Sequence, residues 1–336
     1  MTNATLEELP SPPPGREGWP WTEALQALPP TMVAGQPWPR VSIVTPSFNQ
    51  GSFLEETIRS VLLQGYPNLQ YIIMDGASTD NSPELILKYA SWLSHFEIRK
   101  DDGQSDALNR GFAHADGELF GFINSDDLLE PSALRSLVLA GSARGASAWQ
   151  GRLMVAGRCT HFRDGKDGAI GENHVMGSFA QWIEGSAALH QPGTFWTSAI
   201  WNECGPFPVG MRYAFDRYFF ARVAAFCPEF VRVPASVAKF RVHDLSKSGS
   251  EGSKFSAEWV AWVPKLIRSV PASVRLHAAA AILDWYALRV ATAALAAHTK
   301  SSALLALLTC ALRNPLVATR RPFLGALKKI LTKKIW

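Results

Sequence analysis

Between Val41 and Ala140 the apolar positions change period several times. Val41 to Thr45 is a short β-branched run closed by Pro46, which reads as a buried strand. Apolar residues then recur at helical spacing through Gln64, and Ser52 with Glu55 three positions on forms a capping box that predicts the helix start. The unit repeats: Leu69 to Met74 reads as a second strand, and Ser82 followed by Pro83 opens a helix through about Leu93. His95 to Lys100, Gln104 to His114, Leu119 to Ile123 and Pro131 to Ala140 continue as strand, helix, strand and helix. This alternation predicts an α/β fold with a mostly parallel sheet flanked by helices. Ligands of such sheets sit beyond the carboxyl ends of the strands, so the informative residues are those just after each strand.

The flanks read differently. Residues 1–39 are rich in proline, with Pro12, Pro13 and Pro14 adjacent, and predict an extended lead-in that wraps the domain through Trp19, Trp21 and Trp38. Beyond Ser147 the pattern is less regular, with short strands at Gly151 to Ala156 and Phe230 to Phe240. From about Ala257 the chain turns helical and rich in alanine and leucine. The expected organisation is an N-terminal extension over 1–39, an α/β domain over 40–250 and a basic amphipathic helical region over 251–336.

Composition fits a globular chain, at 47% hydrophobic and 18% charged, and excludes a disordered or fibrous one. Charge matters at one end: residues 254–336 carry 13 Lys or Arg against only Glu258 and Asp284. Arg320, Arg321, Lys328, Lys329, Lys333 and Lys334 interleave there with Phe323, Leu324, Ile330 and Trp336. That mixture predicts amphipathic helices lying on an anionic membrane surface; the alternative is a solvated basic face on ordinary packed helices. No base-reading motif accompanies the charge, so no nucleic acid partner is expected. Four cysteines without a CxxC pair suit a reducing compartment. The absence of a leader pattern and of about 18 consecutive uncharged apolar residues points to a cytoplasmic protein, peripheral on the inner face of the cell membrane.

The chemistry gathers at the strand ends. No G-x-G-x-x-G follows the first strand, which argues against a dehydrogenase. Instead the second strand ends at Asp75 before Gly76-Ala77-Ser78-Thr79-Asp80, and the fourth ends in Asn124-Ser125-Asp126-Asp127. Asp102 to Gly111 lies between them. Carboxylates at the ends of separate parallel strands converge on one crevice. There they suit Mg²⁺ or Mn²⁺, which take oxygen ligands shared with substrate phosphates. Asp126 is the best single ligand candidate; a helix cap by Asp126 and Asp127 is the competing role.

Taken in order, these segments resemble the inverting glycosyltransferases of family 2, which have a GT-A nucleotide-binding fold. The resemblance runs from about Val41 to Ser248. It implies nucleotide contacts from Pro46, Ser47 and Asn49 after the first strand, from Asp75 to the base, and from Asp102, Gln104 and Asn109 beside the ribose and diphosphate. Asn124-Ser125-Asp126 occupies the place of the family's DxD metal motif, with Asn124 and Ser125 at the nucleotide and Asp126 on the ion. Gln191-Pro192-Gly193-Thr194-Phe195-Trp196 and Gly205-Pro206-Phe207 resemble the acceptor-side segments, placing Asp127, Gln191 and Trp196 near the acceptor or donor sugar. Tyr213-Ala214-Phe215-Asp216 resembles the segment of the catalytic base, Asp216. Phe240-Arg241-Val242-His243 through Ser248 resembles the closing segment at the diphosphate, which makes His243 a second metal ligand, assisted by Lys247.

Two departures stand out: neutral Asn124 opens the metal motif, and Phe215 and Tyr218 flank Asp216 where acidic neighbours are common in the family. The expected reaction is transfer of a sugar from a nucleotide-diphosphate sugar to an acceptor hydroxyl with inversion, aided by a divalent cation. A saccharide or lipid-linked acceptor in surface polysaccharide or glycolipid synthesis follows if the basic region lies on a membrane. The alternatives are a nucleotidyltransferase, which would release pyrophosphate, and a catalytically inactive nucleotide-sugar binding module.

Overall fold

The computed structural model describes residues 4–332 apart from 24, 146, 164–165, 172–175, 227, 244–251, 296–299 and 314. The chain divides into two compact units, residues Met1–Met176 with Leu189–Trp262, and residues Gly177–Ala188 with Val263–Trp336.

The first unit is built on one curled sheet. Strands β1 (Val41–Ser47), β2 (Leu69–Asp75), β3 (His95–Ile98) and β4 (Leu119–Phe122) pair in parallel in the order β3-β2-β1-β4. Every residue of β1 is buried, as a strand covered on both faces requires. Helices α1 (Gly51–Leu62), α2 (Ser82–Lys88), α3 (Gln104–Ala113) and α4 (Ala133–Ser142) connect or cover these strands. Helix α3 comes close because Gly111 lacks a side chain: a Cβ there would stand 2.4 Å from Val44 and 3.0 Å from Met74.

The start of α1 differs from the capping box expected at Ser52. The helix begins two residues earlier, with Gln50 and not Ser52 at the N-cap, and its Gly51 amide donates to Asp80 Oδ2 at 2.8 Å. Glu55 is thereby free for another task and accepts from Lys88 Nζ at 2.7 Å and Tyr89 Oη at 2.8 Å. A carboxylate from the next loop has replaced the local cap.

The second half of the sheet is mixed. Strand β5 (Leu128–Leu129) pairs with β9 (Glu229–Arg241), β9 runs parallel to β6 (Leu153–Arg163), and β7 (Lys166–Gly171) pairs with β6. Strand β8 (Thr194–Thr197) lies antiparallel between β4 and β6 and joins the two halves. Trp196 on β8 is fully buried, its ring 4.9 Å from Phe219 and 5.9 Å from Phe112. It belongs to an aromatic core under helix α7 (Phe215–Ala225), which follows the short helices α5 (Phe179–Glu184) and α6 (Ser198–Cys204) in the chain.

The proline-rich lead-in packs on this unit. Arg59 of α1 is fully buried and donates to the carbonyls of Pro10 (2.8 Å), Pro20 (3.0 Å) and Trp21 (3.0 Å). Its guanidinium also faces the Trp21 ring at 5.3 Å, a cation–π contact. Trp19 Nε1 donates to the Leu129 carbonyl at 2.9 Å, and Trp38 Nε1 to that of Pro29 at 2.8 Å.

The second unit is helical. Its core is formed by Ala287, Ala294, Ala303, Leu307, Val317, Phe323 and Ile330. Phe323 and Ile330, expected among the lipid-facing residues, therefore point into the unit. Leu305, Leu308 and Leu312 on the helix Lys300–Arg313, and Leu324 and Leu331 on the helix Arg321–Thr332, face outward. Asp284, one of the two acidic residues of this region, holds Arg320 in a bidentate pair at 2.6 Å on both arms. Among the described residues, no helix is long and apolar enough to cross a membrane.

Candidate active site

The carboxyl ends of β1 and β2 lie side by side, with Ser47 and Asp75 as register partners. Asp75 is buried and accepts from the Ser78 amide at 2.8 Å and the Ser78 hydroxyl at 2.6 Å. Ser78 Oγ in turn accepts from the Asn49 amide at 2.8 Å. Asn49 takes a left-handed φ of 54°, which asparagine tolerates better than most residues, and its Oδ1 accepts from the Thr79 amide at 2.8 Å. The two turns are thus laced together, and both Asp75 oxygens and the Asn49 oxygen already serve that lacing. Pro46 lies within β1, and the buried Ser47 hydroxyl finds no partner among the described residues. Beside them Phe48 is 60% exposed, an aromatic face at the mouth of the crevice against Gly76.

After β3 the carboxylate that turns inward is Asp101, next to the expected Asp102. Asp102 is exposed, whereas Asp101 Oδ1 accepts from the Gly103 amide at 2.9 Å and Oδ2 lies against Gly76. Burial raises the pKa of Asp101; the Gly103 amide opposes the rise, and Asp106, Asp75 and Asp102 add to it. Gly103, at φ 103°, lets the chain swing from this turn into α3. The doubled aspartate was the only local signal, and it does not say which of the pair faces in.

Gln104, the first residue of α3, reaches the turn after β4. Its Nε2 donates to Asn124 Oδ1 at 2.7 Å. Asn124 Nδ2 donates to Asp127 Oδ2 at 3.0 Å and approaches Gln191 Oε1 at 3.4 Å, while Gln191 Nε2 donates to the Phe122 carbonyl at 2.6 Å. Neutral Asn124 can therefore both accept and donate, which an aspartate in its place could not. Asp127 is buried and accepts from the Arg241 amide at 2.9 Å. Burial, with the neighbouring Asp126 charge, holds its pKa well above the usual carboxylate range against the pull of the Arg241 amide and Asn124. Thr57 Oγ1 donates to the carbonyls of Ser125 (2.9 Å) and Asp127 (2.7 Å), fixing the turn from beneath.

Asp126 points the other way, toward the end of β9. Its Oδ2 is 3.0 Å from His243 Nε2, and both side chains keep part of their surface open to solvent. Phe53 flanks the imidazole at a centroid distance of 4.7 Å. Arg241 donates from Nε to the Asp126 carbonyl at 2.8 Å and from Nη2 to Glu56 at 2.8 Å, so the end of β9 is tied to the turn. The donor set fits a hard or borderline divalent cation: one carboxylate oxygen and one imidazole nitrogen, at the spacing of neighbouring ligands about 2.1 Å from one ion. Lys247 lies outside the described residues.

Asp216 lies in the first turn of α7, and its Oδ1 accepts from the Arg217 amide at 2.7 Å. The preceding Phe215 ring packs 6.1 Å from Phe122, which ends β4 just ahead of Asn124. Other expected site residues make contacts within the domain. Asn109 is engaged at both ends by Phe207, accepting from its amide at 2.8 Å and donating to its carbonyl at 2.9 Å. Ser125 is buried in the turn, and Trp196, expected near the sugar, is core. Glu203 pairs with Arg152 at 3.1 Å.

A second cluster, His95, Glu97 and His114, brings its ligand atoms within 4.8 Å of one another. The two imidazoles stack at 3.8 Å and 23°, so one ion cannot lie in the plane of both rings. Glu97 is moreover shared by Arg99 and Arg110.

The Glycosyl transferase family 2 model matches residues 42–219. An uncharacterized glycosyltransferase of Mycobacterium tuberculosis is 27% identical over 197 residues, covering 56% of this chain and 70% of that protein. TuaG of Bacillus subtilis, a glycosyltransferase named for teichuronic acid biosynthesis, is 33% identical over 92 residues, 26% of this chain and 36% of its own. Among solved structures, Staphylococcus aureus TarS 1-349 in complex with UDP-GlcNAc superposes with a TM-score of 0.59 at 15% identity, over 87% of this chain and 90% of that one. The mannosyltransferase PcManGT of Pyrobaculum calidifontis, in complex with GDP-Man and Mn²⁺, gives 0.50 at 20% identity over 93% and 92%. At these identities the structures attest the GT-A fold. The family match spans β1 through the helix of Asp216, and on that extent the chain belongs to glycosyltransferase family 2.

Proposed function

We propose that this glycosyltransferase moves a sugar from a nucleoside-diphosphate sugar to an acceptor hydroxyl by a single displacement that inverts the anomeric carbon. The observation that carries the reading is the pairing of Asp126 with His243 at 3.0 Å beside the Gln104–Asn124 link, at the carboxyl edge of the parallel strands. Nucleotide-sugar complexes of the structural neighbours support the donor class.

The nucleotide lies over Pro46, Ser47, Asn49 and Asp75, with the exposed Phe48 ring against the base and Asp101 and Gln104 toward the ribose and diphosphate. Asp126 and His243 would hold Mg²⁺ or Mn²⁺, and the ion would supply Lewis-acid stabilisation of the charge on the departing diphosphate. Asp216 accepts the proton of the acceptor hydroxyl as its oxygen bonds to the anomeric carbon and the bond to the diphosphate oxygen breaks. Asn124, Asp127 and Gln191 hold the metal turn in register, and Asn109, Ser125 and Trp196 support it from the core.

The acceptor is a saccharide or lipid-linked sugar in surface polysaccharide or glycolipid synthesis, made at the inner face of the cell membrane. The name of TuaG and the basic second unit with its outward leucines support this. Incubation with a panel of UDP-, GDP- and dTDP-sugars, Mn²⁺ and saccharide acceptors should release nucleoside diphosphate and yield a product of inverted anomeric configuration by NMR. Pyrophosphate release would make the protein a nucleotidyltransferase, and donor binding without turnover a binding module.

A further inference from the structure

Glu258 lies on the helix α8 (Gly252–Ser269) and makes three hydrogen bonds to consecutive backbone amides. Its Oε1 accepts from Arg212 at 2.7 Å, and its Oε2 from Tyr213 and Ala214 at 2.8 Å each. These residues lead directly into α7, whose N-cap, Ala214, supplies no side-chain cap of its own. The first turn of a helix carries unpaired N–H groups and the positive end of the helix dipole, and a carboxylate satisfies both. Glu258 accepts from one of these groups, the Ala214 amide 44 residues away, and from the two amides before it, so it anchors the entry to α7.

The neighbours of Glu258 grip the same segment. Phe255 meets Tyr213 edge-on at 5.3 Å, the Arg217 guanidinium stacks on Trp259 at 4.3 Å, and Trp262 meets Tyr218 at 6.0 Å. Phe255, Glu258, Trp259 and Trp262 fall on one face of α8 by helical spacing. That face holds residues on both sides of Asp216, whose own carboxylate is turned along the helix by the Arg217 amide.

We infer that Glu258 is a positioning residue for the base: it fixes the entry to α7 and so the place of Asp216 relative to the acceptor hydroxyl. The inference rests on the reading of Asp216 as the base. A misplacement of about 1 Å can cost on the order of 10²-fold in rate, so an anchoring carboxylate far from the reacting atoms can act on turnover alone.

The test uses the full chain, with Glu258→Ala, Glu258→Gln, Asp216→Asn and the double variant Glu258→Ala/Asp216→Asn. Amide hydrogen exchange, which needs no activity, should speed up by about tenfold or more at residues 212–214 in Glu258→Ala, since a lost charge-assisted hydrogen bond opens those amides. kcat should fall by about 10- to 100-fold while the donor KM stays within about twofold. Glu258→Gln, which keeps an acceptor oxygen, should recover part of both. The double variant should turn over no more slowly than Asp216→Asn, because Glu258 acts through that residue. Unchanged exchange in both Glu258 variants would remove the anchor. Faster exchange with unchanged kcat, or additive losses in the double variant, would overturn the positioning role. Faster exchange combined with normal turnover in Asp216→Asn would leave the anchor standing and displace the base assignment instead.

Discussion

His243 Nε2 stands 3.0 Å from Asp126 Oδ2, although 117 positions separate the two residues along the chain. The contact closes the crevice between the end of β4 and the end of β9, and Arg241 reinforces it by bonding to the backbone of the same turn. Neither side chain is needed by the core, since both retain solvent exposure. Asp126→Ala and His243→Ala should therefore keep the melting temperature close to that of the parent while abolishing or sharply weakening Mn²⁺-dependent binding of a nucleoside diphosphate. Calorimetric titration with and without chelator measures this. Equal affinity under both conditions in the parent chain would eliminate the metal assignment.

Asp216→Asn keeps the shape of the side chain and the acceptor for the Arg217 amide but removes the basicity. General bases contribute about 10²- to 10⁴-fold, so turnover should drop by that factor with donor affinity nearly constant. Steady-state kinetics at saturating donor reads it. Near-normal turnover would pass the role to another carboxylate, Glu203 or Asp244, the latter outside the described residues.

Asp101→Asn should separate stability from binding. The folded pKa of Asp101 lies above its ordinary value of 3.8, so the folded chain binds the proton more tightly than the unfolded one. Stability from this group is highest below about pH 4 and is lost as the pH rises toward the folded pKa. The amide removes that penalty and leaves an oxygen for the Gly103 N–H. The variant should melt higher than the parent at pH 7, the difference should vanish near pH 4, and nucleotide affinity should fall. A lower melting temperature at pH 7 would show that the charged form is stabilised by contacts that outweigh its burial.

What could be read in advance follows the range over which each signal acts. Val41 to Thr45 and Leu69 to Met74 announce buried strands because burial on both faces demands continuous apolar runs, and the residues after them fall at the crevice by topology alone. Strand β8 was legible only as part of a resemblance to the acceptor segment, since four residues carry too little periodicity to identify a strand. Long-range polar contacts left no local trace. Asp80 capping α1, Arg59 buried under the proline-rich lead-in and Glu258 anchoring the entry to α7 each look like ordinary surface charges in sequence. Phe323 and Ile330 were misplaced because a helix facing lipid and a helix facing its own bundle share one amphipathic pattern.

The outward leucines of the second unit give the membrane proposal a definite surface. Leu305, Leu308 and Leu312 are 63%, 57% and 75% exposed, at the spacing of one helix face. Replacing all three by serine should release the protein from anionic vesicles without lowering its melting temperature, because none of them packs in the core. Raising salt should weaken binding of the parent chain, since exposed charges are screened within about 10 Å at 0.1 M. Cosedimentation decides: a parent chain left in the supernatant at low salt removes the membrane partner.

Arg59 tests how firmly the proline-rich lead-in belongs to the enzyme. Its guanidinium is buried, and its bonds to three carbonyls of residues 10–21 make it the polar anchor of an otherwise apolar contact. Arg59→Met fills a similar volume but leaves those carbonyls without a donor, and a buried unpaired polar group costs about 1–3 kcal/mol. Relief from burying the charge offsets part of the total, so a net loss of roughly 2–4 kcal/mol is expected. The loss should appear both as a lower denaturant midpoint and as faster proteolysis of the first 40 residues. Because Trp19 bonds to Leu129, two positions beyond Asp127, the freed lead-in should also loosen the turn of Asn124 to Asp127 and weaken the proposed Mn²⁺-dependent nucleotide binding. An unchanged midpoint together with an intact lead-in under protease would mean that Trp21 and its apolar neighbours hold the segment without the arginine.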